Sequence, residues 1–105
     1  DRAMRNEWPL KQLSPVHNQL GVFEASCWSE SDIPPDWELK GTLVRSGLPG
    51  EVHRHRFYDL RAGRIAIVFE HSCLGEDALM VRVGPAAWAR DRWKALLAAG
   101  SIVAG

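Results

Sequence analysis

Between residues 51 and 73, apolar and polar side chains alternate in two runs, EVHRHRFYDL and RIAIVFEHSC, joined by Arg61-Ala62-Gly63. Such alternation marks strands whose two faces see different surroundings, and a short glycine-containing joint between two of them predicts a β-hairpin. Pairing about Ala62, with Leu60 opposite Arg64, places Phe57, Ile65, Ile67 and Phe69 on one face and Arg54, Arg56, Tyr58, Val68 and Glu70 on the other. The first face reads as core. The second reads as the face that meets water or a partner.

The remaining pattern is read against this hairpin. Trp8, Leu10, Leu13, Val16 and Leu20 recur at helical spacing, interrupted by Pro9 and Pro15, which predicts one or two short helices in 1–20. Residues 21–28 alternate as a strand with Phe23, Ala25 and Cys27 on one side, and SESDIPPD forms a loop held extended by Pro34-Pro35. A strand over 38–46 directs Leu39 and Leu43 inward and ends at the turn-forming sequence Ser46-Gly47-Leu48-Pro49-Gly50. After Cys73 a tight connection leads into a strand over 78–83, with Leu79, Val81 and Val83 on one face. Pro85 at the start and Gly100 past the end frame a helix with Ala89, Trp93, Leu96 and Leu97 as its apolar stripe, Trp88 to its side, and Arg90, Asp91 and Lys94 in solvent. Residues 101–105 are a short apolar tail or an added edge strand.

These elements predict an α+β fold: a mostly antiparallel sheet of four to five strands, with short N-terminal helices and one C-terminal helix packed on one face. A small closed barrel, bent at Gly41, Gly47, Gly50 and Gly63, is the competing arrangement. The length of 105 residues fits a single globular domain over 1–105. No apolar run approaches the roughly 18 residues of a membrane span.

The 13 basic and 13 acidic side chains balance, which disfavours a main role in nucleic-acid binding, where affinity comes largely from neutralised phosphates. The balance conceals a local asymmetry. Glu24, Glu30, Asp32, Asp36 and Glu38 form a stretch without Lys or Arg, whereas Arg54, Arg56, Arg61 and Arg64 crowd the hairpin. The two regions are expected to attract each other within the fold, or to make a self-complementary surface. Cys27 and Cys73 fall on different strands with no secretory segment before them, which points to reduced thiols and a cytoplasmic setting. The chain opens on Asp1 rather than Met, and a preceding N-terminal piece is expected.

One constellation has the residue types of a metal site. The hairpin pairing sets His53-x-His55 against His71-x-Cys73, so four imidazole and thiol groups share one face. Against it, the spacing matches no common zinc module, and His55 falls opposite Phe69 in apolar surroundings. No nucleophile elbow, phosphate loop or positioned carboxylate pair is present, so neither an enzymatic activity nor a cofactor is expected. The five tryptophans outnumber what the core of so short a chain needs. Tryptophan and arginine dominate interface hot spots, so Trp28, Trp37 and Trp88, with Arg54, Arg56 and Tyr58, are the candidate partner-binding residues. The resulting expectation is a non-enzymatic regulator, a homodimer, which occupies and inhibits a partner protein in the manner of an anti-activator, adaptor or immunity protein. A small-ligand or metal-binding domain using His53, His55, His71 and Cys73 is the alternative, and a nucleic-acid binder the third.

Overall fold

The computed structural model describes residues 14–15, 21–46, 52–73 and 76–104, without the side chains of 14–15, 52, 71–73 and 76–77. Among the described residues the chain forms one antiparallel sheet and one α-helix. The strands are β1 (Ser14–Pro15), β2 (Phe23–Trp28), β3 (Glu38–Ser46), β4 (Val52–Arg61), β5 (Arg64–Cys73), β6 (Glu76–Pro85) and β7 (Ile102–Val103), and helix α1 spans Ala86–Ala98. Their order across the sheet is β1-β2-β6-β5-β4-β3-β7. Consecutive strands β3 to β6 form a meander, while β2 returns to β6 and β7 returns to β3. The mostly antiparallel α+β architecture is as expected; five strands have six or more residues, and a two-residue strand lies at each edge. The described sheet is open, with no pairing between its end strands. The expected N-terminal helices fall largely outside the described residues; within that stretch Ser14 and Pro15 pair with Glu24 and Phe23 as strand.

The hairpin keeps the expected register over most of its length, with Phe57 opposite Ile67 and His55 opposite Phe69. Near the turn it slips: Arg61, not Leu60, faces Arg64, because Arg61 and Ala62 take left-handed backbone beside Gly63 and the extra residue forms a bulge.

The sheet is buried on both faces. On one, Leu43, Phe57 and Ile67 pack under Ala89, with Ile65, Phe69, Trp88, Trp93 and Leu96 at the margin. On the other, Ala25, Tyr58, Ala66, Val68, Leu79, Val81 and Val83 form a second core with Trp28. This corrects the expected solvent face: Tyr58 is 8% and Val68 0% exposed. The cover is the irregular segment between β2 and β3, which brings Ile33 and Trp37 down onto that surface.

Two further bulges shift the phase of alternation. In β2 the register changes between Ala25 and Trp28, with Cys27 at φ 61°, so Trp28 turns inward and Cys27, expected to pack, is exposed. In β3 the shift between Leu39 and Gly41 leaves Leu43 fully buried and Leu39, also expected inward, 50% exposed.

Helix α1 starts one residue later than expected, after Pro85 as N-cap. It ends in a Schellman motif: Gly100 at φ 107° donates to the Leu97 carbonyl at 3.1 Å and Ser101 to that of Leu96 at 2.9 Å. Ala89, Trp93 and Leu96 of the expected stripe pack on the sheet, whereas Leu97 is exposed and Trp88 joins the packed side. The Schellman turn sends the chain back along β3, where β7 pairs with Leu43 and Val44.

Candidate functional site: an open sheet edge beside a groove

Four of the six residues expected to bind a partner are brought together, but as a closure within the chain. Trp28 and Trp37 stack with centroids 6.0 Å apart, and Trp37 tilts onto Tyr58 at 5.9 Å. Trp28, at 8% exposure, has its surface committed to this core. Arg56 fastens the same segment from the sheet, donating to both carboxylate oxygens of Glu30 at 2.9 and 2.6 Å and to the Tyr58 hydroxyl at 3.1 Å. The fork of a guanidinium matches a carboxylate in this way, and the pair joins β4 to a 3-10 turn, Glu30–Asp32, in the covering loop. That turn is braced by the Ser29 N–H, which donates to Asp32 Oδ2 at 2.8 Å. Of the remaining two residues, Arg54 is exposed and pairs with Glu70 at 3.1 Å, and Trp88 lies half-buried on the opposite face, in the first turn of α1.

The acidic stretch and the basic hairpin therefore meet inside one chain, through Glu30 and Arg56. Glu24 pairs with Arg82 at 2.8 Å across β2 and β6, and Glu38 with the nearby Lys40 at 2.7 Å. The hydrogen bond from Arg56 holds the Glu30 carboxyl below its ordinary value of 4.5. A depressed carboxylate contributes stability that is present above the unfolded pKa and disappears as pH falls through the folded one. Because Glu30 is 69% exposed, that contribution falls in the range of about 0.2–1 kcal/mol found for exposed pairs. We expect acidification below about pH 4 to loosen the loop, read as a change in tryptophan fluorescence, and Arg56→Met to bring the loosened signal to neutral pH. Identical titrations of the two proteins would mean that the pair does not hold the loop.

Of the four residues expected to share a metal-binding face, His53 and His55 have described side chains. His53 and His55 lie on β4 opposite Arg45 and Leu43, and the His55 ring stacks on Phe69 with centroids 5.2 Å apart. Arg82 sits over the other partner in this stack, 5.6 Å from the Phe69 centroid. Burial, and then the charges of Arg92, His53, Arg45 and Arg82, push the His55 imidazole below its usual value, and its buried Nδ1 has no hydrogen-bond partner among the described residues. Backbone pairing sets His71 opposite Ala78 and Cys73 opposite Glu76; their side chains lie outside the described set. Among the described residues, no group of three or more His, Cys, Asp or Glu could hold a metal ion.

Two features at the other side of the sheet lie apart from the residues singled out above. The first is the outer edge of β3. Strand β7 lies beside only Leu43 and Val44, with one further hydrogen bond from the Ala104 N–H to the Thr42 carbonyl at 2.9 Å. Among the described residues, no strand covers the outer side of Glu38–Gly41. Large apolar side chains gather along this edge and the adjoining end of α1: Ile102 is 68% exposed, Val103 59%, Leu39 50% and Leu97 40%.

The second is a groove of about 300 Å³ where the first half of α1 crosses β3, β4 and β5. Phe57 and Ile65 contribute the sheet side, and Ala86, Ala89 and Trp93 the helix side. The two walls approach closely at Gly41, where a side chain would stand 2.9 Å from the Trp93 ring. Lys40 and Arg90 complete the lining; both are exposed, and among the described residues no carboxylate lines the groove. The Lys40 ammonium is shared with Glu38, which raises its pKa, whereas Arg90 has no carboxylate partner among the described residues. The amphipathic period of α1 marked Arg90 as solvent-facing, but alternation alone could not show that Lys40, displaced by the β3 bulge, shares its groove.

No family model, curated protein or solved structure matches this chain.

Proposed function

We propose that this chain is a small non-catalytic domain that binds another protein through the β3–β7 edge, and regulates that protein by occupying it. The observation that carries the reading is the exposure of Leu39, Leu97, Ile102 and Val103 along an edge where β7 leaves part of β3 uncovered. Exposed strand edges are templates for pairing with another chain, and natural proteins normally protect them with charge, bulges or cover. Here the uncovered end of β3 carries the Glu38–Lys40 pair and a bulge, yet Leu39, Ile102 and Val103 remain exposed beside them, as in recognition by strand addition. The inhibitory form of this regulation, of the anti-activator, adaptor or immunity type, follows if the occupied surface is the one the partner works with. A second copy of the chain is the other occupant for the same edge, through a symmetric contact.

The test is the double variant Ile102→Lys and Val103→Lys. Both side chains are exposed, so folding should be retained while association falls at least tenfold, measured by light scattering for a second copy and by titration for an identified partner. Undiminished association in a folded double variant would rule out this edge.

A second reading, a small-anion site, is favoured by Arg45, Arg82 and Arg92 around the His55–Phe69 stack. It predicts a rise in melting temperature on adding the anion, which the edge reading does not.

A further inference from the structure

Resting on the protein-binding reading, we propose that the groove and the uncovered stretch Glu38–Gly41 of β3 form one recognition site for an extended acidic segment of the partner, with one large apolar side chain seated between β3 and α1. Three observations converge on this occupant. The groove has an apolar floor, Phe57 and Ile65, and its volume of about 300 Å³ accommodates one large side chain. That volume is at the lower limit of the roughly 300–1,000 Å³ typical of small-molecule pockets, which also enclose most of their ligand. A groove open to solvent along its length suits a side chain whose main chain is held elsewhere.

The second observation supplies that anchorage. Gly41 is both a wall of the groove and the end of the uncovered β3 stretch, so a strand added beside Glu38–Gly41 runs past the opening of the groove. Main-chain hydrogen bonds then provide affinity, and the pocket for an alternate side chain provides selectivity. The third is charge. Among the described residues, Lys40 and Arg90 are the only ionisable groups lining the groove; Lys40 is paired with Glu38, so the charge without a carboxylate partner is that of Arg90. The Ala86 N–H at the start of α1 is taken by the Gly63 carbonyl at 2.9 Å, but the first turn carries no acidic residue and no side-chain cap, so no carboxylate offsets its positive end. A segment with Asp or Glu flanking its apolar residue matches this field, and one with Lys or Arg is repelled.

The experiment compares two synthetic ten-residue peptides of alternating Thr and Val around a central Phe, one with Asp on either side of it and the other with Lys. Each is titrated into isotopically labelled protein and followed by amide chemical shifts. The acidic peptide should bind at least tenfold more tightly, with shifts centred on Lys40, Gly41 and Ala86, and this preference should vanish in Arg90→Glu. Ala86→Leu, which narrows the groove without touching charge, should weaken it also. Equal binding of the two peptides, no binding, or shifts centred elsewhere would overturn the proposal. So would phenylacetate binding as tightly as the peptide, or self-association abolished by Arg90→Glu, which give the groove a small-molecule or second-copy occupant. If Arg90→Glu leaves association with an identified partner unchanged while the Ile102 and Val103 double variant abolishes it, this proposal fails and the edge reading stands. If neither changes it, both fail.

Discussion

Leu43→Ala is expected to lower stability by about 3 kcal/mol and the melting temperature by on the order of 15 °C. Leu43 is fully buried among Phe57, Ile67 and Ala89. It lies in a ladder on both sides, opposite His55 of β4 and Val103 of β7. A vacated side chain there cannot be filled by a shift of β3 without breaking one ladder, nor by α1 without disturbing the Schellman turn that returns the chain to β7. Cavity formation should therefore dominate over relaxation, placing the cost within the 2–5 kcal/mol range for leucine truncation. Urea unfolding measures it. A loss below about 1 kcal/mol would mean that the core under α1 closes around the gap.

Gly84→Ala should be the other severe substitution, costing about 2–3 kcal/mol through overpacking. A Cβ there would stand 2.6 Å from Trp88 Cε3 and 2.9 Å from Val22 Cγ2. The obstruction comes from two sides, so movement away from one ring presses on the other group. Val22 is almost fully buried, and Trp88 lies in the first turn of α1, only four residues on. The tilt that relieves the clash must therefore pass into the helix and change the groove. Gly63→Ala is the control. Its φ of 75° strains any side chain by roughly 1–2 kcal/mol, but nothing lies within 4 Å of the added carbon. Amide chemical shifts of the two variants separate the mechanisms: Gly84→Ala should alter those of α1, and Gly63→Ala should alter only the turn. Similar spectra would mean that Trp88 yields freely.

The contrast between these sites shows what the pattern of residues could convey. Alternation in β4 and β5 was sufficient to set Phe57 against Ile67, because one-residue slips reverse every side chain and only one register satisfies both runs. It could not show that Tyr58 and Val68 are buried, since a face with Arg54, Arg56 and Glu70 at its margin reads as polar whether or not a loop covers its centre. Nor could it foresee that Leu39 and Cys27 point outward. Each follows a bulge, and a bulge adds one residue to a strand without a distinctive composition. The charge asymmetry was legible as a tendency of the acidic loop to meet the basic hairpin, but the pairing of Glu30 with Arg56 required the fold. The apolar tail at Ile102 and Val103 was legible as a strand; its exposure was not, because that depends on how little of β3 it covers. The groove was least legible, being formed where Ala86 and Ala89 of one element meet Gly41 of another.

The order of strands also carries a kinetic consequence. From β3 to β6 every pairing joins neighbours in the chain, so this meander closes small loops and can assemble from local encounters. Its flanks differ: Phe23 must find Val83, and Leu43 must find Val103, between distant parts of the sequence. These flanking strands thus join a sheet already formed, and on unfolding they are the natural first to leave. Because β7 is such a strand, the uncovered length of β3 can grow by brief release of the chain's own end, without loss of the central meander.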